Sequence, residues 1–240
     1  MMKDTEVIEL ALKFRRETLM LADEQPIEDS YRLAEEAGFF IFSIPLKGAF
    51  DKNSENGFYL KINGYNFIFI NSSVFKATQN FTIWHEIYHW IMPLESKDDK
   101  DRDEIQAEIF AASILLPPPT LKKEISPFLH SNKIYANQIN KIAVKFGLHY
   151  KAVVKQIERV SPKLLEDKPY LHNIKYSEDI KFFNENEKLK YAELSKTNNR
   201  YITPKIFEVI EENYKKNIIT EDELKEINRI IKEVSLIGNE

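Results

Sequence analysis

The sequence predicts an α+β fold, mostly helical, with a small antiparallel sheet in its first half and a helical segment at its C-terminus. Three observations carry this expectation. Apolar residues recur at helical spacing through much of the chain. One stretch, 59 to 70, sets two strand-like runs around an Asn-Gly pair. Two capped helix starts, at Thr203 and Thr220, lie near the end. The size agrees: 240 residues with 43% apolar content are enough for a packed core.

The elements follow in order. Val7, Ile8, Leu10, Ala11, Phe14, Leu19 and Leu21 are mostly helix-spaced and predict a helix over residues 5 to 22. A second helix is expected from near Ser30 to Gly38, where a glycine can take the left-handed conformation that ends a helix. Phe39 to Ile44 is a short apolar strand. Asn63-Gly64 suits the two left-handed positions of a tight hairpin turn between Tyr59 and Ile70. An edge strand of that hairpin is the candidate for holding an extended peptide by main-chain hydrogen bonds. Simply covering the core is an equally open role for it.

Phe81 to Ile91 forms the next helix, stopped by Pro93, and residues 103 to 116 form another, closed by Pro117, Pro118 and Pro119. Between them Glu95 to Asp103 holds five acids in nine residues. It lacks the glycine and terminal glutamate of a calcium loop and is expected to be a solvated loop.

The helix at 81 to 91 carries His85-Glu86-Ile87-Tyr88-His89. Positions i and i+4 share a helix face, so His85 and His89 can offer two imidazole nitrogens to one metal ion, and Glu86 can take a proton from an attacking water. This pattern points to a zinc hydrolase. A third ligand must come from elsewhere. Six residues after His89 stands Glu95, with Met92 where a metzincin has glycine, so that class is excluded. The helix at 103 to 116 instead offers Glu104 and Glu108, one turn apart. One can bind metal while the other orients a ligand histidine.

Here the chain resembles the ImmA/IrrE-type metallopeptidases. The resemblance rests on Asn71-Ser72-Ser73, on Phe81-Thr82-Ile83-Trp84-His85-Glu86-Ile87-Tyr88-His89, and on the run Glu104 to Pro117, which carries Glu104, Ala107, Phe110-Ala111 and Leu115-Leu116-Pro117 at the family's positions. It covers most of residues 25 to 160. Position by position it puts the metal-binding glutamate at Glu104, and it departs from the family at Glu108, where asparagine is usual. The resemblance implies a zincin-like peptidase with zinc on His85, His89 and Glu104 and with Glu86 as catalytic base. Glu108 is left as the carboxylate beside a ligand histidine or as the alternative ligand. It also implies limited cleavage of a repressor-like DNA-binding protein. For an oxyanion-stabilising donor the chain offers His130, His149, Tyr88 and Tyr150.

Residues 139 to 160 have the spacing of two short helices around Gly147, as in a helix-turn-helix. Lys141, Lys145, Lys151, Lys155 and Arg159 against Glu158 leave a local charge of +4. We therefore divide the chain into a zincin-like metallopeptidase domain, 1–160, and a helical region, 161–240. In the latter Asn198-Asn199 marks a break, Thr203-Pro204 a helix start and Thr220 to Glu223 a capping box. Direct DNA contact through 139–160 would make the protein a regulator. A binding module that neutralises a partner, as an antitoxin or anti-repressor does, is a further reading. The absence of cysteine excludes thiolate ligands and disulfides, and a net charge of −4 gives no global attraction to nucleic acid. With no apolar segment of bilayer length, the expectation is a cytoplasmic protein without membrane contact.

Overall fold

A computed structural model describes residues 2–46, 56–93, 100–173 and 180–236. Helices α1 (Asp4–Glu17) and α2 (Ser30–Glu36) precede strand β1 (Phe39–Ile44), the hairpin β2 (Gly57–Ile62) and β3 (Tyr65–Asn71), and helices α3 (Lys76–Ile91) and α4 (Lys100–Leu115). Then come α5 (Pro118–Leu129), α6 (Ala136–Phe146), α7 (Tyr150–Val160), α8 (Glu185–Leu194), the two-residue strand β4 (Tyr201–Ile202), α9 (Lys205–Lys215) and α10 (Glu221–Leu236). The fold is α+β and mostly helical, as the spacing predicts.

The sheet differs in one respect. Its order is β2-β3-β1-β4, and β1 pairs with β3 in parallel, Phe39 opposite Asn66 through Ile44 opposite Asn71. It is mixed rather than wholly antiparallel, because the hairpin lays its second arm, not its first, against β1. The Asn63-Gly64 turn has φ of 49° and 87°, the conformation expected for a two-residue hairpin.

Strand alternation divides the sheet. Phe39, Ile41, Ile68 and Ile70 turn one face towards α3, whose Ile83, Trp84 and Ile87 are fully buried against it. Across α3 lies α4, with Ala107, Phe110, Ala111 and Ile114 buried, and α1 covers α4 through Phe14, whose ring meets Phe110 edge-on at 6.0 Å. The two helices expected to bear the site thus run through the middle of the core.

Helix α1 stops at Glu17, short of the predicted residue 22. Met20 takes φ 54°, and Leu19 is buried in the returning turn. That turn is held by a fully buried Arg15, which donates to the carbonyls of Ile114 (2.6 Å), Ala22 (2.8 Å) and Gln25. Helix α4 starts earlier than predicted, at Lys100, so Asp101 and Asp103 belong to its first turn rather than to a loop; residues 95–99 of the acidic stretch lie outside the described residues.

The helix pair predicted over 139–160 is present as α6 and α7, with Gly147 left-handed (φ 69°) at the end of α6. Thr203 does not cap α9. Its hydroxyl accepts the N–H of Ile41 at 2.7 Å instead, on the edge of β1 where β4 pairs antiparallel. The Thr220 to Glu223 box forms in both directions, 2.7 and 3.2 Å.

Candidate metal centre

Helix α3 carries His85, Glu86 and His89, and the core forces their direction: Ile83, Trp84 and Ile87 take the sheet-facing positions, leaving the two histidines on the face towards α4. Glu104, on α4, meets them there. His85 Nε2 lies 3.1 Å from His89 Nε2 and 3.1 Å from Glu104 Oε2, and His89 Nε2 is 3.8 Å from Glu104 Oε1. This is the grouping of metal-ligating side chains that stands out among the described residues.

The spacing suits a cation. Zinc takes nitrogen and oxygen donors at about 2.0–2.2 Å, and tetrahedral angles then set neighbouring donors about 3.3–3.6 Å apart. The donor chemistry agrees, since two imidazole nitrogens facing each other at 3.1 Å must share either a proton or a cation.

The electrostatics pull the two histidines apart. Burial opposes the charged form of His85, but its hydrogen bond to Glu104 and the charges of Glu86, Glu104 and Glu108 outweigh it, so its pKa lies above the usual imidazole value. Burial and the neighbouring His85 hold His89 below that value. Glu104, bonded to His85, stays below the usual carboxylate range despite its burial.

A cavity of about 200 Å³ opens on this cluster, walled by Asn56, Phe81, Thr82, His85, Glu86, Glu104 and Glu108. Glu86 is buried, 6% exposed, and lines the same space as the donor atoms. Asn56 immediately precedes β2, so β2, an outer strand of the sheet among the described residues, begins at the cavity.

Glu108 is at the cavity wall but outside the donor group. One helical turn beyond Glu104, it has passed the histidines and pairs with Lys155 of α7 at 2.7 Å. The carboxylate beside a histidine is Asp103 instead, whose Oδ2 accepts from His89 Nδ1 at 3.0 Å. Burial holds the pKa of Asp103 above its ordinary value. Helical spacing does not reveal this partner, because Asp103 and Glu104 are sequence neighbours that reach opposite sides of His89 only once α4 begins at Lys100.

Of the four oxyanion candidates, Tyr88 is buried and gives its hydroxyl to Gln106 (2.8 Å), Tyr150 is buried, and His130 is exposed at the end of α5. None of the four lines the cavity; the ring of Tyr88 meets His89 at 5.8 Å but points its hydroxyl away, and His149 reaches the cluster only through Phe81. Its ring meets Phe81 edge-on at 5.3 Å, and Phe81 lies 6.5 Å from His85. Among the basic residues of 139–160, Lys141 pairs with Glu187 (3.1 Å), Lys145 with Glu124 (2.6 Å) and Lys155 with Glu108. Much of the expected positive face is therefore neutralised within the fold. No described helix is long and apolar enough to cross a membrane.

No curated protein matches the chain. A family model does: that of the IrrE N-terminal-like domain, Peptidase M78, over residues 34–158. The match takes in more than half of the sequence and reaches from α2 to α7, so every side chain that walls the cavity falls within it. The chain belongs to the Peptidase M78 family, a family of metallopeptidases.

Proposed function

We propose that this chain is a zinc-dependent cytoplasmic endopeptidase that makes limited cuts in a repressor-like DNA-binding protein. The observation that carries the reading is the convergence of His85, His89 and Glu104, with donor atoms 3.1 to 3.8 Å apart, on a cavity that Glu86 also lines.

In this reading His85, His89 and Glu104 hold the metal. Zinc at such a site supplies Lewis acidity for the scissile carbonyl and lowers the pKa of water to near neutrality. Glu86 takes a proton from the attacking water and returns it to the leaving amine. Its near-complete burial keeps bulk water from competing for that proton. Asp103 holds the proton of His89 on Nδ1, which keeps the lone pair of Nε2 directed at the cavity. The outer edge of β2, unpaired among the described residues and starting beside Asn56, is the strip on which an extended substrate would add as a strand.

The catalytic unit is taken to be residues 1–160. The helical region 161–240 contributes β4 and Thr203 as a brace on β1. The DNA-binding alternative loses support because three of the cations it needs are already paired with carboxylates.

The test is Glu86→Gln. The variant should keep zinc and fold while peptide cleavage falls at least about 100-fold, since general base catalysis contributes roughly that much or more. Cleavage that survives the substitution would contradict the reading. An undiminished biological effect without cleavage would favour a partner-neutralising module instead.

A further inference from the structure

Beside the metal cavity lies a second, smaller crevice of about 40 Å³, which the proposed mechanism does not use. The two share Phe81 and Glu108 as a common wall. On its far side the crevice is lined by three nitrogen donors of α7 and its cap: His149, Lys155 and Arg159.

His149 caps α7, accepting the N–H of Ala152 at Nδ1, 3.2 Å. A ring that accepts at Nδ1 carries its proton at Nε2, so His149 offers an N–H rather than a lone pair to its surroundings. Burial, with Lys155 and Lys151 adding to it, lowers its pKa to about 4 and keeps the ring neutral near pH 7. Lys155 and Arg159 follow on α7, four residues apart and so on one side of the helix.

The crevice has one acid to set against these donors. Glu108 is that acid, and Lys155 already holds it at 2.7 Å. Arg159 has no carboxylate within 4 Å among the described residues; its described hydrogen bond, to Gln156 Oε1, is long at 3.4 Å. Arg159 is exposed at the rim of the crevice; partial burial of its guanidinium lowers its pKa below the usual value, and the more distant charges of Glu108, Asp4 and Glu158 oppose that shift. A guanidinium presents a fork of N–H groups that fits a carboxylate in two parallel hydrogen bonds, and it stays charged throughout the range in which proteins work. The crevice has room for a carboxylate head, since about 10–15 Å³ of such space already admits a water.

We infer that this crevice is a specificity subsite of the peptidase, in which Arg159, helped by His149 and Lys155, binds a carboxylate of the substrate next to the scissile bond. The inference rests on the peptidase reading for what the subsite serves, but the binding itself is independent of turnover. The carboxylate can be an Asp or Glu side chain or the C-terminus of the substrate chain; both offer the same two oxygens. Arg159 supplies the countercharge while Lys155 stays on Glu108, so neither carboxylate is left alone. Phe81, between the crevice and His85, sets the distance from the anchored carboxylate to the reacting centre.

The test uses a random octapeptide library, half with free and half with amidated C-termini, captured on the zinc-loaded full chain carrying Glu86→Gln so that nothing is cut. Bound peptides are sequenced by mass spectrometry. The subsite predicts about tenfold enrichment of Asp and Glu over Asn and Gln at one position, or of free over amidated termini, as one charge-assisted pair would give. The first pattern identifies a side chain as the source, the second a chain end. Adding Arg159→Gln should abolish the enrichment, and Arg159→Glu should replace it with enrichment of Lys and Arg, with zinc content unchanged in both.

Equal capture of acidic and amide peptides overturns the inference, as does an acidic preference that persists without Arg159, or no capture at all. Digestion of the same library by the unsubstituted chain tests the peptidase reading separately. An acidic preference in capture without any cleavage would keep the subsite and remove the protease.

Discussion

Asp103 decides what His89 can do. An imidazole that donates from Nδ1 has its remaining lone pair on Nε2, and the 3.0 Å contact with a half-buried carboxylate fixes that choice against the alternative tautomer. Glu108 has no such hold on either histidine, being paired with Lys155. The two acids therefore separate cleanly by experiment. Asp103→Asn should weaken zinc binding by roughly 10- to 100-fold, the usual effect of removing a carboxylate behind a ligand histidine. Glu108→Gln should leave zinc affinity within a few-fold of the parent. Competition with a chromogenic chelator measures both, and the reverse ranking would return the supporting role to Glu108.

The elements show what the sequence can disclose and what it cannot. His85 and His89 were legible because a four-residue interval in a helix is a local property, and Glu104 because its helix is strongly patterned. The bond from Asp103 was not, since it depends on where α4 begins relative to α3. Nor was β4: two residues, Tyr201 and Ile202, carry no strand signal, and only the edge of β1 makes them one. The mixed sheet was hidden for the same reason. Pattern predicts which residues are strands and which face is buried, while the order of the arms is a tertiary choice.

Thr203 is the clearest case of competition, its hydroxyl drawn from the helix start it was expected to cap to the N–H of Ile41. Gly57, which opens β2 beside the cavity, is a further tertiary constraint. A Cβ there would lie 2.5 Å from the carbonyl oxygen of Phe69 and 2.7 Å from Thr82 Cγ2, so backbone would have to move. Gly57→Ala should cost roughly 1–3 kcal/mol in urea unfolding, the range for overpacking a filled site. A neutral result would mean that β2 and α3 are not packed this closely.

At the scale of the molecule, the helices after Thr203 stand apart from the core. Helix α9 buries no residue, and the polar side of both α9 and α10 is laced with exposed pairs such as Lys215 with Glu211 (2.7 Å) and Lys225 with Glu221 (2.8 Å), which contribute little. Residues up to Thr203 are different, because β4 and the Thr203 hydroxyl complete the edge of β1. A chain ending after Pro204 should therefore keep zinc binding and cooperative unfolding. One ending at Val160 exposes the β1 edge and strips the buried Leu164, Leu165 and Leu171 from the core. It should lose several kcal/mol, by about 1.5–3 kcal/mol for each such side chain, as read by thermal unfolding. Equal stability of the two truncations would make residue 160 a true domain boundary.

The catalytic reading depends on two histidines of α3 and one glutamate of α4 sharing a single divalent ion. Zinc content after exhaustive dialysis, measured by plasma mass spectrometry on the purified chain and its variants, tests that most directly. One zinc per chain is predicted for the parent, for Glu86→Gln and for Glu108→Gln, with little or none retained by His89→Gln or Glu104→Gln. A full complement of zinc in Glu104→Gln, or its loss in Glu108→Gln alone, would contradict the account.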